Sequence, residues 1–301
     1  MTRIGVVVAA VSFSVALFVA CDRSMLLAET PPLEHEQVPG SVQGRFAEID
    51  IGNFDLVDGI AWRAEGRGTV IYVTSKPIAS SMLTTSACPA TMARALTAVR
   101  DAGWVEVTLD ASGTSNYFAS GQPYGGTMRA LDPPGRNWTS TVTASGDRVS
   151  GSVTHTDYGS FKFDLPLSTP KVKEVSEDDR MRGVQADPSA PAPSAKALTD
   201  AYGAAHAAAL KKDWTALLGA LGFDVAQSAA IIALANIDAD LQAFANRFLT
   251  PGEAGEIESR EGHGYVGAEG VNGKGGKFIN YYWFTPCQEK LVLYSISENP
   301  Q

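Results

Sequence analysis

One stretch of this chain cannot build a core of its own, and it divides the regions that can. Residues 168–195 carry Pro170, Pro188, Pro191 and Pro193, a mixed-charge run over 171–182 and an Ala-Pro-rich end, with few large apolar side chains. Such a segment buries too little surface to offset the entropy lost on ordering it, so 169–195 reads as a linker. The chain before it is patterned for strands. The chain after it is patterned for helices and then strands.

From 42 to 168 the pattern predicts a β-rich domain. Phe46, Ile49 and Ile51 open it, and the β-branched run over 69–74, which includes Val70, Ile71 and Val73, has the composition of a strand buried on both faces and stopped before Pro77. Val105, Val107 and Leu109 alternate with Glu106 and Thr108, the mark of a strand buried on one face. Further strand signals fall at 114–120, 139–144, 148–154 and 159–165, separated by turn residues such as Gly146 and Asp147. Many short strands at close spacing predict a sandwich or barrel. One helix interrupts them. Pro89 suits a first helical position, Met92, Leu96 and Val99 form a stripe, and Gly103 closes the run.

The region from 196 to 298 begins helical. Leu198, Tyr202, Ala205 and Ala209 mark one helical face; Asp213 can cap a second short helix bearing Leu217, Leu218 and Leu221, which Gly222 ends. Asp224 and Gln227 stand at capping-box spacing before a third helix, whose stripe is Leu234, Ile237, Leu241, Phe244 and Phe248. Strands are expected at 256–261, 264–271, 278–285 and 291–297, with hairpin residues at Asn272 and Gly273. Three helices laid on a curved antiparallel sheet resemble the cone-shaped α+β domain of the NTF2-like superfamily, and the order also suits a cystatin-like layout. The resemblance rests on element order over 195–298. It departs from the usual NTF2-like order, in which a strand precedes the third helix.

The N-terminus carries a different signal. Arg3 is followed by an uncharged apolar run over 4–19 that ends in Leu17, Phe18, Val19, Ala20 and Cys21, the shape of a signal peptide over 1–20. This resembles the lipobox of bacterial lipoproteins, although Phe18 stands where the family usually has Leu. The resemblance implies cleavage before Cys21 and acylation of that cysteine, hence a lipid anchor in the bacterial envelope facing the periplasm or the exterior. Asp22 resembles the signal by which enterobacterial lipoproteins stay in the inner membrane. An ordinary cleaved signal peptide or an uncleaved anchor are the alternatives. Residues 21–41, with Pro31, Pro32 and Pro39, read as a tether.

Charge and cysteine content narrow the partners. With 24 Lys+Arg against 33 Asp+Glu the chain is acidic at net −9, and loss of Arg3 with the leader makes the exported protein more negative still. Such a surface repels phosphate backbones, and no basic stripe interleaves with aromatic residues, so nucleic acid is not an expected partner. Cys88 and Cys287 remain once Cys21 is acylated. They read as two separately buried thiols, with an interdomain disulfide as the alternative.

No motif names a reaction. The GxGxxG of 262–267 lies among strands rather than before a helix, so its glycines suit bends. His35, His155, His206 and His263 are scattered without metal-ligand spacing. No metal and no cofactor is expected, and Glu253, Glu256, Glu258 and Glu261 read as a solvated face. The aromatic run Tyr281, Tyr282, Trp283 and Phe284 lies on one strand, so two rings face the helices and two face outward. With His263 it is the candidate ligand or partner surface. The sequence thus favours a non-catalytic binding role toward an envelope protein or a small apolar ligand. Two other readings stay open: an enzyme using His263, Tyr265 and Tyr282 in a C-terminal cavity, and an inhibitor or immunity lipoprotein against an envelope-targeting toxin.

Overall fold

The computed structural model describes residues 40–48, 52–64, 68–84, 86, 88–110, 115–121, 128–131, 137–169, 191–249, 251–271, 275–287 and 290–300. The leader, Cys21, the tether up to residue 39, residues 170–190 of the linker and the expected turn at Asn272 and Gly273 lie outside the described residues. All described residues belong to one compact unit, Gln37–Gln301.

The N-terminal region is β-rich. Its strands are β1 Ser41–Glu48, β2 Gly52–Leu56, β3 Asp58–Ala64, β4 Gly68–Thr74, β5 Trp104–Leu109, β6 Ser115–Gly121, β7 Met128–Leu131, β8 Trp138–Ser145, β9 Arg148–His155 and β10 Gly159–Ser168. They follow the order β2-β1-β10-β3-β4-β5-β6-β7, with β9 and then β8 branching from β10. Strand β10 is the junction. It pairs antiparallel with β1 and β9, and its last residues, Leu167 and Ser168, pass on to pair in parallel with Ala61 and Trp62 of β3. The segments on either side of this junction share one core, built of Phe46, Leu56, Trp138, Val153, Phe161 and Leu165 from one and Ala61, Ile71, Val73, Val105 and Val107 from the other.

Between β4 and β5 run a short helix α1, Ser80–Leu83, and the longer α2, Pro89–Arg100. Pro89 takes an N-terminal position and the stripe Met92, Leu96, Val99 is buried, as the spacing predicts. The stripe is only a fraction of what α2 buries. Thr91, Ala93, Thr97 and Ala98 are buried too, because α2 lies between the sheet and the C-terminal elements.

The C-terminal region holds α3 Ala195–Lys211, α4 Trp214–Ala220, α5 Val225–Ile232 and α6 Ile237–Leu249, then β11 Pro251–Arg260, β12 His263–Val271, β13 Lys277–Cys287 and β14 Lys290–Pro300. The four strands form an antiparallel sheet in chain order. Caps set two helices where the residues predict: Asp213 accepts from Ala216 N–H, and Asp224 with Gln227 completes a reciprocal box; Ser194 Oγ, accepting from Ala197 N–H, caps α3 as well.

The expected third helix is two helices. The chain breaks over 233–236, where Asn236 adopts the left-handed region at φ 61°. Arg100 of α2 donates to the Ala235 carbonyl that the break frees, at 3.2 Å, and its guanidinium pairs at 3.1 Å with Asp240 on the first turn of α6. Lys76 reaches the same carboxylate at 3.4 Å. A partner distant in sequence thus satisfies a group that an unbroken helix would have satisfied itself.

The two regions share a core. Ile60, Trp62, Val70 and Tyr72 from β3 and β4 cluster with Leu96 and Val99 of α2 and with Tyr202, Leu217, Phe244, Phe248, Tyr282 and Phe284. The C-terminal region therefore has no core separate from its neighbour. Strand β5 shows the effect on a single element. Glu106, which alternation assigns to solvent, is 2% exposed, and all six residues of β5 are buried. Its carboxylate pairs at 2.7 Å with Arg94 of α2, whose guanidinium carbon stands 6.0 Å from the Tyr72 ring centre and 5.9 Å from that of Trp104. Burial is tolerated because the charge is neutralised where it sits.

Cys88 and Cys287 are joined by a disulfide, with Cα atoms 6.1 Å apart and a sequence separation of 199. The reading of two separate thiols is corrected by tertiary contact: the N-cap of α2 meets the end of β13, with Val292 packed beside the bridge. A link across so long a loop limits the unfolded chain strongly. Replacing both cysteines by alanine should lower unfolding free energy by about 2–4 kcal/mol in urea titration while leaving the far-UV circular dichroism of the folded state unchanged.

Candidate functional site

The C-terminal sheet has two unlike faces, and the aromatic run on β13 shows both. Tyr282 and Phe284 point inward and are fully buried; Tyr281 and Trp283 point outward and are half-buried. The alternation expected from the sequence holds. The inner face is filled. Tyr282 packs against Tyr202 and Phe248 at ring separations of 4.8 and 5.0 Å, Phe248 against Phe244 at 5.5 Å, and the Tyr282 hydroxyl donates to the Arg247 carbonyl. Burial pushes that hydroxyl well above the usual phenol range. Where α2 meets β14, the gap lined by Ala95, Ala98, Leu221, Phe244 and Tyr294 is too tight to admit water.

The outer face is built from β11, β12 and β13. Tyr265 of β12 lies between its partners across the strands, Glu258 on β11 and Trp283 on β13. Its ring meets Tyr281 edge-on, with centroids 5.1 Å apart and planes at 89°, and Trp283 at 4.9 Å and 57°. His263 continues the row beside Trp283 at 6.2 Å, its Nδ1 lying 3.2 Å from the Glu261 carbonyl. The Trp283 indole N–H donates to Ser297 Oγ at 3.1 Å. Glycine shapes both sides of this sheet. A side chain on Gly264 would strike Leu198 of α3 at 2.7 Å on the inner side, and one on Gly267 would crowd Glu256, Ile279 and Tyr281 at 3.2–3.4 Å on the outer.

Two carboxylates complete the outer face. The Tyr265 hydroxyl lies 2.8 Å from Glu256 Oε1 and 2.9 Å from Glu258 Oε2, and Arg260 pairs with Glu258. The bond from Tyr265, then that from Arg260, holds the Glu258 carboxyl below its ordinary value. Desolvation and both carboxylates push the Tyr265 hydroxyl far above the usual phenol range, so it stays a donor. Glu256 and Glu258, read from sequence only as solvated acids, thus belong with the aromatic residues. The signal that could have placed them is period-two spacing: Glu256, Glu258 and Arg260 share one strand face.

The sequence-predicted residues separate. His263, Tyr281 and Trp283 come together on the outer face, whereas Tyr282 and Phe284 lie on the inner face. The trio His263, Tyr265 and Tyr282 is divided by the sheet itself and shares no cavity. Among the described residues no group of three or more His, Cys, Asp or Glu side chains is gathered as metal ligands would be. Nor is any single described helix long and apolar enough to cross a membrane. A second concavity, an open groove of about 890 Å3, lies at the β1–β2 edge against the β9–β10 turn, lined by Arg45, Asp55, Val57, Asp157 and Tyr158 among others.

No protein-family model matches the chain, and neither a curated protein nor a solved structure is significantly similar to it.

The hydrogen bond from Tyr265 to Glu258 can be tested by titration. Glu258 is ionised more readily in the folded chain than in the unfolded one, so its contribution is present above its unfolded value and is lost as pH falls through the folded one. In Tyr265→Phe the Glu258 carboxyl should titrate nearer its ordinary 4.5 than in the wild type, followed by carboxyl-carbon NMR.

Proposed function

We propose that this chain is a lipid-anchored envelope lipoprotein with a non-catalytic binding role, and that the binding surface is the outer face of the C-terminal sheet. The observation that carries the binding role is the outward, half-buried pair Tyr281 and Trp283 packed about the buried Tyr265, with Glu256 and Glu258 beside them. Aromatic rings with polar edges, fixed by their neighbours and left on a sheet face opposite the helices, suit contact with a partner. The filled inner face favours this role over the enzymatic reading, which needs a cavity holding convergent acid–base groups. On this reading the C-terminal region is a variant of the NTF2-like plan with its cone closed by Tyr202, Phe244, Phe248 and Tyr282.

The envelope location is supported from two directions. The leader ending in Cys21 has the architecture of a lipoprotein signal. The Cys88–Cys287 bridge suits an oxidising compartment, where disulfides form and persist. Acylation by more than one chain would make membrane attachment stable, which a single chain does not.

Expression of the full chain in a bacterial host with labelled palmitate tests the anchor. Wild type should carry the label and sediment with membranes, and Cys21→Ala should lose the label and leave the membrane fraction. Unchanged processing and fractionation of Cys21→Ala would contradict the proposal.

A further inference from the structure

We infer that the outer face of the C-terminal sheet binds an extended basic segment of a partner protein, two arginines at alternate positions lying over Tyr281 and Trp283 and pairing with Glu256 and Glu258. This deepens the binding role proposed above and rests on it.

The spacing is the first argument. Tyr281 and Trp283 stand two residues apart on β13, and Glu256 and Glu258 two apart on β11, with Tyr265 between the rows. Alternate residues of a strand are roughly 6.6–6.8 Å apart, and so are alternate side chains of an extended peptide laid along it. Two residues of one register thus meet two ring-and-carboxylate positions in succession. Gly267 keeps the floor low beside Glu256 and Tyr281.

Charge is the second. Ring faces are negative, and each position adds a carboxylate oxygen that lies 2.8 or 2.9 Å from the Tyr265 hydroxyl, whose single proton the two share. Both features attract a cation. A neutral ligand would have to desolvate the two carboxylates, of which only Glu258 has Arg260 beside it, without returning a further charged partner. Arginine suits the site better than lysine, because its plane stacks on a ring while its fork donates to a carboxylate. Arg260 shows the pairing within the chain, donating to Glu258 from the same face. The acidic balance of the whole chain, at net −9, adds long-range attraction for a basic partner. The rings and carboxylates are held by one another before any ligand arrives, which lowers the ordering cost of binding.

The test uses the full chain in detergent micelles and a fluorescently labelled peptide, Ser-Arg-Thr-Arg-Ser, with Ser-Ala-Thr-Ala-Ser, a neutral oligosaccharide and choline as alternatives. The arginine peptide should bind, and binding should weaken with added salt. Trp283→Ala and the double change Glu256→Gln with Glu258→Gln should each weaken it by about tenfold or more. Asp55→Asn, at the distant β1–β2 edge, should leave it unchanged. Circular dichroism shows whether each variant is folded; Trp283→Ala leaves both carboxylates in place and reports on the rings if the double variant does not fold. Equal binding of the alanine peptide, binding of the oligosaccharide or choline instead, or no effect of the folded variants would overturn the inference. Loss of the palmitate label with peptide binding intact would remove the anchor alone. A retained label with no peptide binding would remove this inference alone.

Discussion

A sheet segment apolar on both sides has to be covered twice, and the rest of this fold follows from that requirement. In β4, Ile71 and Val73 face one core while Val70 and Tyr72 face the other, and all four are at most 1% exposed. The β-rich region folds over to cover the first side. Covering the second takes α2 and, through α2, the helices and strands of the C-terminal region. Each large side chain withdrawn from water in this way contributes about 1.5–3 kcal/mol, which is why the two regions share a core instead of standing apart.

Polar groups caught in that closure are met by partners from the opposite side of it. Arg94 neutralises Glu106, Arg100 takes the carbonyl and carboxylate at the break before α6, and Asp58 accepts from Ile78 N–H and Ser80 Oγ to hold the entry to α1. The disulfide fastens the start of α2 to the end of β13. Because α2 and α3 occupy one side of the C-terminal sheet, its other side is where outward aromatic residues remain. The proposed binding surface is thus a consequence of the packing that fills the inside.

What the residues reveal alone is local. The buried run of β4, the Pro89 start and stripe of α2, the Asp224–Gln227 box and the in-out alternation of Tyr281 to Phe284 depend on spacing within one element, and each can be read directly. What escapes is set by a partner far along the chain. Glu106 is patterned like a solvent-facing residue because nothing in its own strand reveals Arg94. The break at 233–236 interrupts a periodic stripe because Arg100 is there to meet Ala235. Cys88 and Cys287 stand 199 residues apart, and only the docking of α2 beside β13 brings them together. Half of the candidate site was legible for the same reason: the rings by alternation, but not the carboxylates that Tyr265 gathers from β11.

Hydrogen exchange under native conditions is the most direct measure of the shared core. If β4 and β13 belong to one cooperative body, the amides of Ile71 and Val73 and those of Tyr282 and Phe284 should open with the same free energy, to within about 1 kcal/mol, at the global unfolding limit. Opening of the C-terminal set several kcal/mol, on the order of 3 or more, below the β4 set would show two bodies that merely touch, and would contradict the account.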